Sequence, residues 1–328
     1  MATAELSRSS LPTFLDPPVG QLAEECQASP VRLAFRFGPT EGPELADSVR
    51  GSALAWRETV AALRPWSGRR LELVETRHAS AADVWIGTLQ TLEQEFAAHG
   101  STEHKTFLVL DPPRRESVLA DDHRCFWIGA GPDRRIDALA AWLSAQQGTR
   151  TWCALDRSKV DHLSAIVRTD DVRIEGVDVM LLGNVSEDDL PALVEIRRHR
   201  PLMWIALSAP PRNAKVIVDA LRHRIVWTED WHPRLCESGA RELNTRYATT
   251  FDTSMTSAAW RAWLGVKCVA QAARYSELSE LSSALLSTEI EGHKGITLGF
   301  DKDRCLAYPL CVVGHEDHEH PVLASVMP

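Results

Sequence analysis

The densest set of metal-binding side chains lies near the C-terminal end, where His315, His318 and His320 alternate with Glu316, Asp317 and Glu319. Imidazole and carboxylate together suit zinc, nickel or copper, so these three histidines are candidate metal ligands. The segment reads as a short exposed tail without the supporting groups that hold a ligand in place, so no resident metal or other cofactor is expected. His232 and Cys236 stand four residues apart with no second pair nearby, and they are read as structural. Seven cysteines, an odd number without a C-x-x-C pair, read as small buried side chains, not as a disulfide framework or a zinc ribbon. Catalysis would need a nucleophile with its base, or a cofactor loop. The chain has no G-x-S-x-G, Walker loop, H-E-x-x-H or G-x-G-x-x-G after a strand. Gly129-Ala130-Gly131 comes closest, but Pro132 follows and no third glycine arrives in register. No catalytic residue is assigned, and the expectation is a protein that is not an enzyme.

Composition narrows the partners. The 328 residues are enough for about two domains. Hydrophobic residues at 44% and charged residues at 25% match ordinary folded chains and exclude disordered, collagen-like and disulfide-miniprotein classes. With 36 Lys and Arg against 45 Asp and Glu, the net charge of −9 disfavours nucleic acid and anionic membrane, whose phosphates attract surplus positive charge. No apolar stretch approaches the roughly 20 residues that cross a bilayer, so no direct membrane insertion is expected. The first 30 residues are acidic and Pro-rich without an apolar core, so they do not read as a secretory signal. On that reading the protein would be cytoplasmic if Met1 is its true start.

Short strands and helices alternate. VRLAFRF (31–37) has strand alternation and ends at the GPTEGP loop; 44–63 carries apolar residues at helical spacing. Strands are predicted at 70–76 and 105–110, with a helix over 81–98 between them. A strand at 125–128, a helix over 137–145 and a strand at 151–155 follow. Strands at 177–182, 201–207 and 224–228 are then interleaved with helices from Ser186 through 196 and over 213–221. Helices are predicted at 257–273 and 277–286, and a strand pair in 295–313. Alternation of this kind means parallel sheets covered by helices, an α/β fold with two Rossmann-like lobes. The expected division is an N-terminal arm over 1–30, lobe one over 31–135 and lobe two over 136–255. Residues 256–328 supply C-terminal helices, the strand pair and the His-rich tail, with the late helices crossing back to lobe one. Trp56, Trp85, Trp142, Trp260 and Trp263 fall on apolar faces of predicted helices and read as core.

Open parallel sheets hold ligands outside the carboxyl ends of their strands, so the loops there supply the candidate ligand-binding residues Thr40, Ser80, Asp111, Ser186, Asp230 and Trp231. The hydroxyls of Thr40, Ser80 and Ser186 could meet a polar solute, and Asp111, Asp230 or Glu229 an amine. Trp231 could wall a pocket. The structural alternative stays open beside this: Ser80 and Ser186 as helix caps, the acids as solvated loop residues, and Trp231 as interlobe packing.

Several segments also carry a resemblance. GPTEGPELADSVRGSALAWRETVAAL, with its Arg50-Gly51-Ser52-Ala53 step, VETRHASAADVWIGTLQTL and RCFWIGAGPDRRIDALAAWLSAQQGTRTWCAL follow in the order seen in type I periplasmic binding proteins of the branched-chain amino-acid receptor kind. WTEDWHP, GARELNTRYATTFDTSMTSAAWRAWLGVKCVAQAA and GHKGITLGFDKDRCLAYPLCVV are similar to a branch encoded beside pyrroloquinoline-quinone-dependent alcohol dehydrogenases. The closest match there is at Met255, Thr256, Trp260, Trp263 and Leu264. The short stretch between Leu155 and Val177 departs from the family pattern, so lobe two looks trimmed.

The resemblance implies a two-lobed, non-catalytic solute-binding protein of an ABC-type uptake or sensing system, periplasmic in location. Such a protein would close on a small organic solute between its lobes and work with a membrane permease. A diverged member without a ligand, acting as an accessory or protein-interaction subunit, is the second expectation. A cytosolic ligand sensor is the third.

Overall fold

The computed structural model describes residues 29–37, 43–62, 71–74, 81–99, 105–114, 116–145, 151–154, 167–168, 179–182, 203–206, 224–237, 239–274, 278–314 and 320–327. The chain forms two units, Met1–Ala130 with Leu235–Tyr308 and Gly131–Arg234 with Pro309–Pro328, and so passes from one to the other after residues 130, 234 and 308. Residues 235–255, which the sequence reading puts in lobe two, fall in the first unit, and 309–328 fall in the second.

The first unit is built on five parallel strands: β1 Val31–Arg36, β2 Leu71–Leu73, β3 Val84–Gly87, β4 Thr106–Val109 and β5 Cys125–Trp127. Their order is β2-β1-β3-β4-β5, which places a switch point between β1 and β3. Helix α1, Pro43–Ala62, follows β1, and α2, Leu89–His99, follows β3. The helix expected over 81–98 is therefore a strand followed by a helix. All four residues of β3 are buried. A central strand covered on both faces presents a continuous apolar run, which periodicity does not separate from the face of a buried helix. Trp85 accordingly lies on β3 and not on a helix. It is core as expected, with the Arg36 guanidinium and the Lys105 ammonium at 5.4 and 5.2 Å from its ring centroid.

Three late helices belong to the same unit. They are α4 Ala240–Phe251, where periodicity predicts no element, α5 Ser257–Ala272 and α6 Leu281–Ser287, the last preceded by a 3-10 turn at Leu278–Glu280. Helix α5 is buried nearly all round, so it reads as an interior helix rather than an amphipathic one. Its main partner is α1, and it also packs on β3, α6 and β11. The N-terminus of α5 is fixed by Thr256, whose hydroxyl accepts from the Ala259 N–H and donates to Asp47 of α1 at 2.9 Å. A three-stranded antiparallel sheet, β11 Ile290–Glu291, β12 Thr297–Phe300 and β13 Leu306–Ala307, completes the unit. The Trp127 N–H donates to the Arg304 carbonyl at 2.9 Å, tying β5 to the residues just before β13.

The second unit repeats the pattern. Strands β6 Thr151–Ala154, β7 Val167–Arg168, β8 Val179–Leu182, β9 Met203–Ala206 and β10 Arg224–Glu229 are parallel in the order β7-β6-β8-β9-β10, the order of the first sheet over again. Strand β7 lies in the stretch that reads as trimmed. Two antiparallel strands extend the β10 edge, β14 Leu310–Gly314 and β15 Val322–Val326. The strand pair expected in 295–313 is thus divided between the two units. The tail expected to be a loose exposed end instead contributes an edge strand, because β15 completes backbone hydrogen bonds that β14 would otherwise leave open. Helix α3, Pro132–Ala145, begins five residues earlier than its periodicity suggests. Proline at its first position and Asp133 in its first turn suit a helix start. It packs on β10, β14 and β15 through Ile136, Ala138, Leu139, Trp142 and Leu143. The helices expected from Ser186 and over 213–221 lie outside the described residues. Among the described residues no helix is long and apolar enough to cross a membrane.

Candidate ligand-binding site

In the first unit, the carboxyl ends of β3, β4 and β5 are knitted together by backbone and carboxylate. Asp111, just after β4, accepts from the Leu89 N–H at 2.6 Å and so caps the start of α2. The Thr91 hydroxyl donates to the carbonyls of Arg36 and Thr88 at 2.8 and 2.9 Å, anchoring the same turn to the end of β1. Gly129 follows β5, and a Cβ there would press on the backbone between Leu110 and Pro112, 2.8 Å away. The G-A-G run therefore serves close packing of two strand ends.

In the second unit, the end of β10 is pinned to the first turn of α3. The Arg135 guanidinium donates to both oxygens of Asp230 at 2.8 and 2.9 Å, and to the carbonyl and hydroxyl of Thr228 at 3.0 and 3.2 Å. The Asp230 side chain is only 2% exposed and that of Arg135 14%, so this is a buried, charge-assisted pair in which one guanidinium nitrogen, Nη2, serves both carboxylate oxygens and Nη1 serves Thr228. Glu229, one residue earlier, accepts from the Trp227 indole at 2.8 Å, and Trp227 meets His320 edge to face at 5.3 Å. Trp231 is fully buried. The His232 Nδ1 accepts from the Arg234 N–H at 3.2 Å.

Of the residues singled out by sequence, Asp111 therefore stands at the end of the first sheet, and Asp230 and Trp231 stand together at the end of β10 in the second. Thr40, Ser80, Ser186, His315 and His318 lie outside the described residues. His320 is described and packs on Trp227. Among the described residues no three His, Cys, Asp or Glu side chains converge as a metal site. Cys125, Cys268 and Cys311 are buried, Cys305 is half-buried and Cys236 is exposed. Burial, with the Asp122 charge adding to it, pushes the Cys125 thiol up to about 12, and burial pushes Cys268 up as well, so neither has thiolate character at neutral pH.

Sequence reasoning missed a charged cluster in the first unit. Glu58 of α1 takes Arg246 of α4 at 2.9 Å, and Lys267 and the Trp263 indole of α5 at 3.0 Å each. Lys267 also lies over the Trp263 ring, and His293 packs beside it. Only the Trp263–Lys267 spacing of four hinted at this. The Glu58 carboxyl is driven up by burial, but Lys267, Trp263 and Arg246 outweigh that and hold it below its ordinary value of 4.5. Burial lowers His293 from 6.5, Arg246 and Lys267 adding to it against Glu291 and Glu58.

Both groups bind fewer protons folded than unfolded, so stability falls as pH falls. His293 acts from about 6.5 downward and Glu58 from about 4.5 downward. Replacing Glu58 with glutamine is expected to flatten the loss of stability below pH 4.5 and, because the Glu58 charge opposes the lowering of His293, to steepen the part near pH 6. Melting temperature measured from pH 3 to 8 checks this, and an unchanged acid limb would remove Glu58 from the account.

Two parallel five-stranded sheets of identical order, with the chain passing three times between the units that hold them, constitute the type I periplasmic binding protein fold. Solved structures of that fold align over most of the chain. The branched-chain amino acid transporter substrate-binding protein LivJ from Streptococcus pneumoniae, in complex with isoleucine, matches with a TM-score of 0.64 at 13% identity, over 91% of this chain and 100% of that one. An ABC-type branched-chain amino acid transporter protein from Rhodopseudomonas palustris gives 0.66 at 12% identity, over 90% and 96%. A solute-binding protein from R. palustris in complex with benzoate gives 0.59 at 9% identity, over 91% and 97%. No protein-family model matches the chain, and no curated protein matches its sequence.

Proposed function

We propose that this protein is a non-catalytic solute-binding protein of an ABC-type uptake or sensing system, that it takes a small organic solute at the carboxyl ends of its parallel strands, and that its partner is a membrane permease. The observation that carries this reading is the duplicated β2-β1-β3-β4-β5 sheet order, in a fold that aligns with solute-binding proteins over nearly their full length. The reading extends to a system serving alcohol oxidation by quinoproteins, on the resemblance of the segment around Met255 to Leu264. In that segment Met255, Trp260, Trp263 and Leu264 are core and Thr256 is the cap of α5. The resemblance therefore rests on a structural signature of the first unit.

A thermal-shift screen against amino acids, small alcohols, aldehydes, organic acids and divalent metals tests the reading. A ligand at a hundred times its Kd adds about 2.7 kcal/mol of stability, an easily seen rise in Tm. A hit among the organic compounds is the expected result. A screen without one overturns the reading in favour of a binding-fold protein that acts as an accessory subunit.

A further inference from the structure

The second unit's sheet ends on a strand with little to keep another strand away. β15 stands last in the strand order, and among the described residues its one strand neighbour is β14. The N–H and C=O groups on its far side have no strand partner among those residues, which makes the edge a template for pairing. Helix α3 packs on the strand, and exposure along it alternates. Val322, Ala324 and Val326 are half-buried, whereas Leu323, Ser325 and Met327 are exposed. Leu323 is 39% and Met327 50% exposed, so two large apolar side chains stand on one open face four residues apart. Natural edges are usually blunted by a charge, a proline or a bulge. Pro321 to Pro328, PVLASVMP, holds no charge in a chain of net −9, and its prolines flank the strand without interrupting it. The one irregularity lies at the Val322 end, and Ala324 to Val326 pair with β14 in regular register.

We infer that β15 is a self-association edge, on which a second copy of this chain adds its own β15 in antiparallel direction. The inference is independent of the solute-binding role. A symmetric dimer needs a surface that is complementary to itself, and the order of residues along β15 supplies one. A two-fold axis at Ser325 sets Leu323 against the partner's Met327, Ala324 against the partner's Val326 and Ser325 against the partner's Ser325. Apolar side chains then meet apolar ones and hydroxyl meets hydroxyl, the cross-strand pairings that stabilise a sheet. An axis one residue earlier, at Ala324, would set Leu323 against the partner's Ser325 and Met327 against the partner's Pro321, so the pattern selects one register. Charge favours the same place. Two copies of net charge −9 repel each other, and an uncharged strand lets them meet without like charges directly opposite. Backbone hydrogen bonds across the axis supply the affinity. A single strand pair lies at the small end of specific interfaces, below about 1,200 Å², so the dimer is expected to grow in over roughly 1 μM to 1 mM.

Sedimentation equilibrium of the full chain over that range provides the test, with Ser325→Lys as the disrupting variant and Val118→Lys as its control. Val118 is 63% exposed and belongs to the first unit, so the control makes the same change of charge away from β15. The expected result is a monomer–dimer equilibrium that Ser325→Lys weakens at least about tenfold, by placing two ammonium groups across the axis, and that Val118→Lys leaves in place. Cysteine cross-linking in a Cys236→Ser background reads the register without depending on a disrupted strand. Residues directly opposite in an antiparallel pair have Cα atoms about 4.5–5.5 Å apart, within disulfide range, so Ser325→Cys is expected to form a covalent dimer on mild oxidation, beyond any that its parent forms. Leu323→Cys would lie about 13 Å from its counterpart and is expected not to. A chain that stays monomeric up to about 1 mM overturns the inference and leaves the edge to a strand of another protein. A dimer that Ser325→Lys does not weaken, or that Val118→Lys weakens equally, overturns it as well. Cross-linking through residue 323 and not 325 overturns the register and the self-complementarity argued from it.

Discussion

Replacing Gly51 with alanine is expected to destabilise the protein by about 2 kcal/mol, and replacing it with valine by more. Gly51 sits on α1 where that helix crosses α5, and a Cβ there would lie inside the Ala259 carbonyl. The obstruction is backbone and not the end of a flexible side chain, so the helices themselves must separate. Overpacking of that kind costs about 3 kcal/mol at the upper end of its usual range. Against it stands a gain of about 1 kcal/mol from replacing glycine with alanine inside a helix. Gly265 of α5 supplies the control. A Cβ there meets only side-chain methyls of Ile86 and Leu110, at 3.3 and 3.5 Å. For Gly265→Ala the same helix gain and a small packing cost nearly cancel, to within about 1 kcal/mol. Urea denaturation followed by tryptophan fluorescence distinguishes the two, since Trp56, Trp260 and Trp263 lie on these helices. A net loss of about 2 kcal/mol moves the midpoint by about 1 M. If the two alanine variants were equally stable, the close approach of α1 and α5 would not be the constraint it is taken to be.

Arg135→Ala carries the second large effect. It strips the guanidinium from Asp230 and leaves a buried carboxylate without its counter-charge, which typically costs about 3–5 kcal/mol. Asp230→Asn is expected to cost a similar amount, because it leaves the arginine charge unbalanced in the same place. Removing both together with apolar replacements, Arg135→Met with Asp230→Leu, is expected to cost far less than the two single losses added. A buried pair can be exchanged for well-packed apolar groups with little net change. A double-mutant cycle in which Arg135→Met and Asp230→Leu are also made singly reads this coupling directly. Additive losses would mean that Arg135 and Asp230 act independently.

Much of the fold is legible from local pattern. The positions of β1, α1 and α5 follow from alternation or from three-and-four spacing and those of β4 and β5 from short apolar runs, and together they give the repeat of strands and helices that implies parallel sheets. The failures have physical causes. Val84 to Gly87 is an apolar run that fits a buried strand or a buried helix equally well, and only its pairing with β1 and β4 makes it β3. The segment after Gly239 folds as α4 with a polar surface, burying only Ala240, Leu243 and Tyr247, too few to announce a face. Strand β15 follows a His-rich polar stretch, and its place beside β14 fixes it as a strand. The candidate site was legible to the extent that Asp111, Asp230 and Trp231 do stand at strand ends. What each acid is bonded to was not.

The amino-acid sequence alone determined the fold class, the core tryptophans and the lack of a catalytic signature, because periodicity and motif chemistry are expressed within a few turns of chain. Which partner each buried carboxylate meets was decided only by the tertiary structure. Arg135 and Asp230 are 95 residues apart, and Glu58 and Trp263 are 205 apart. No local window holds both partners, so neither pairing can be read from the periodicity of the chain.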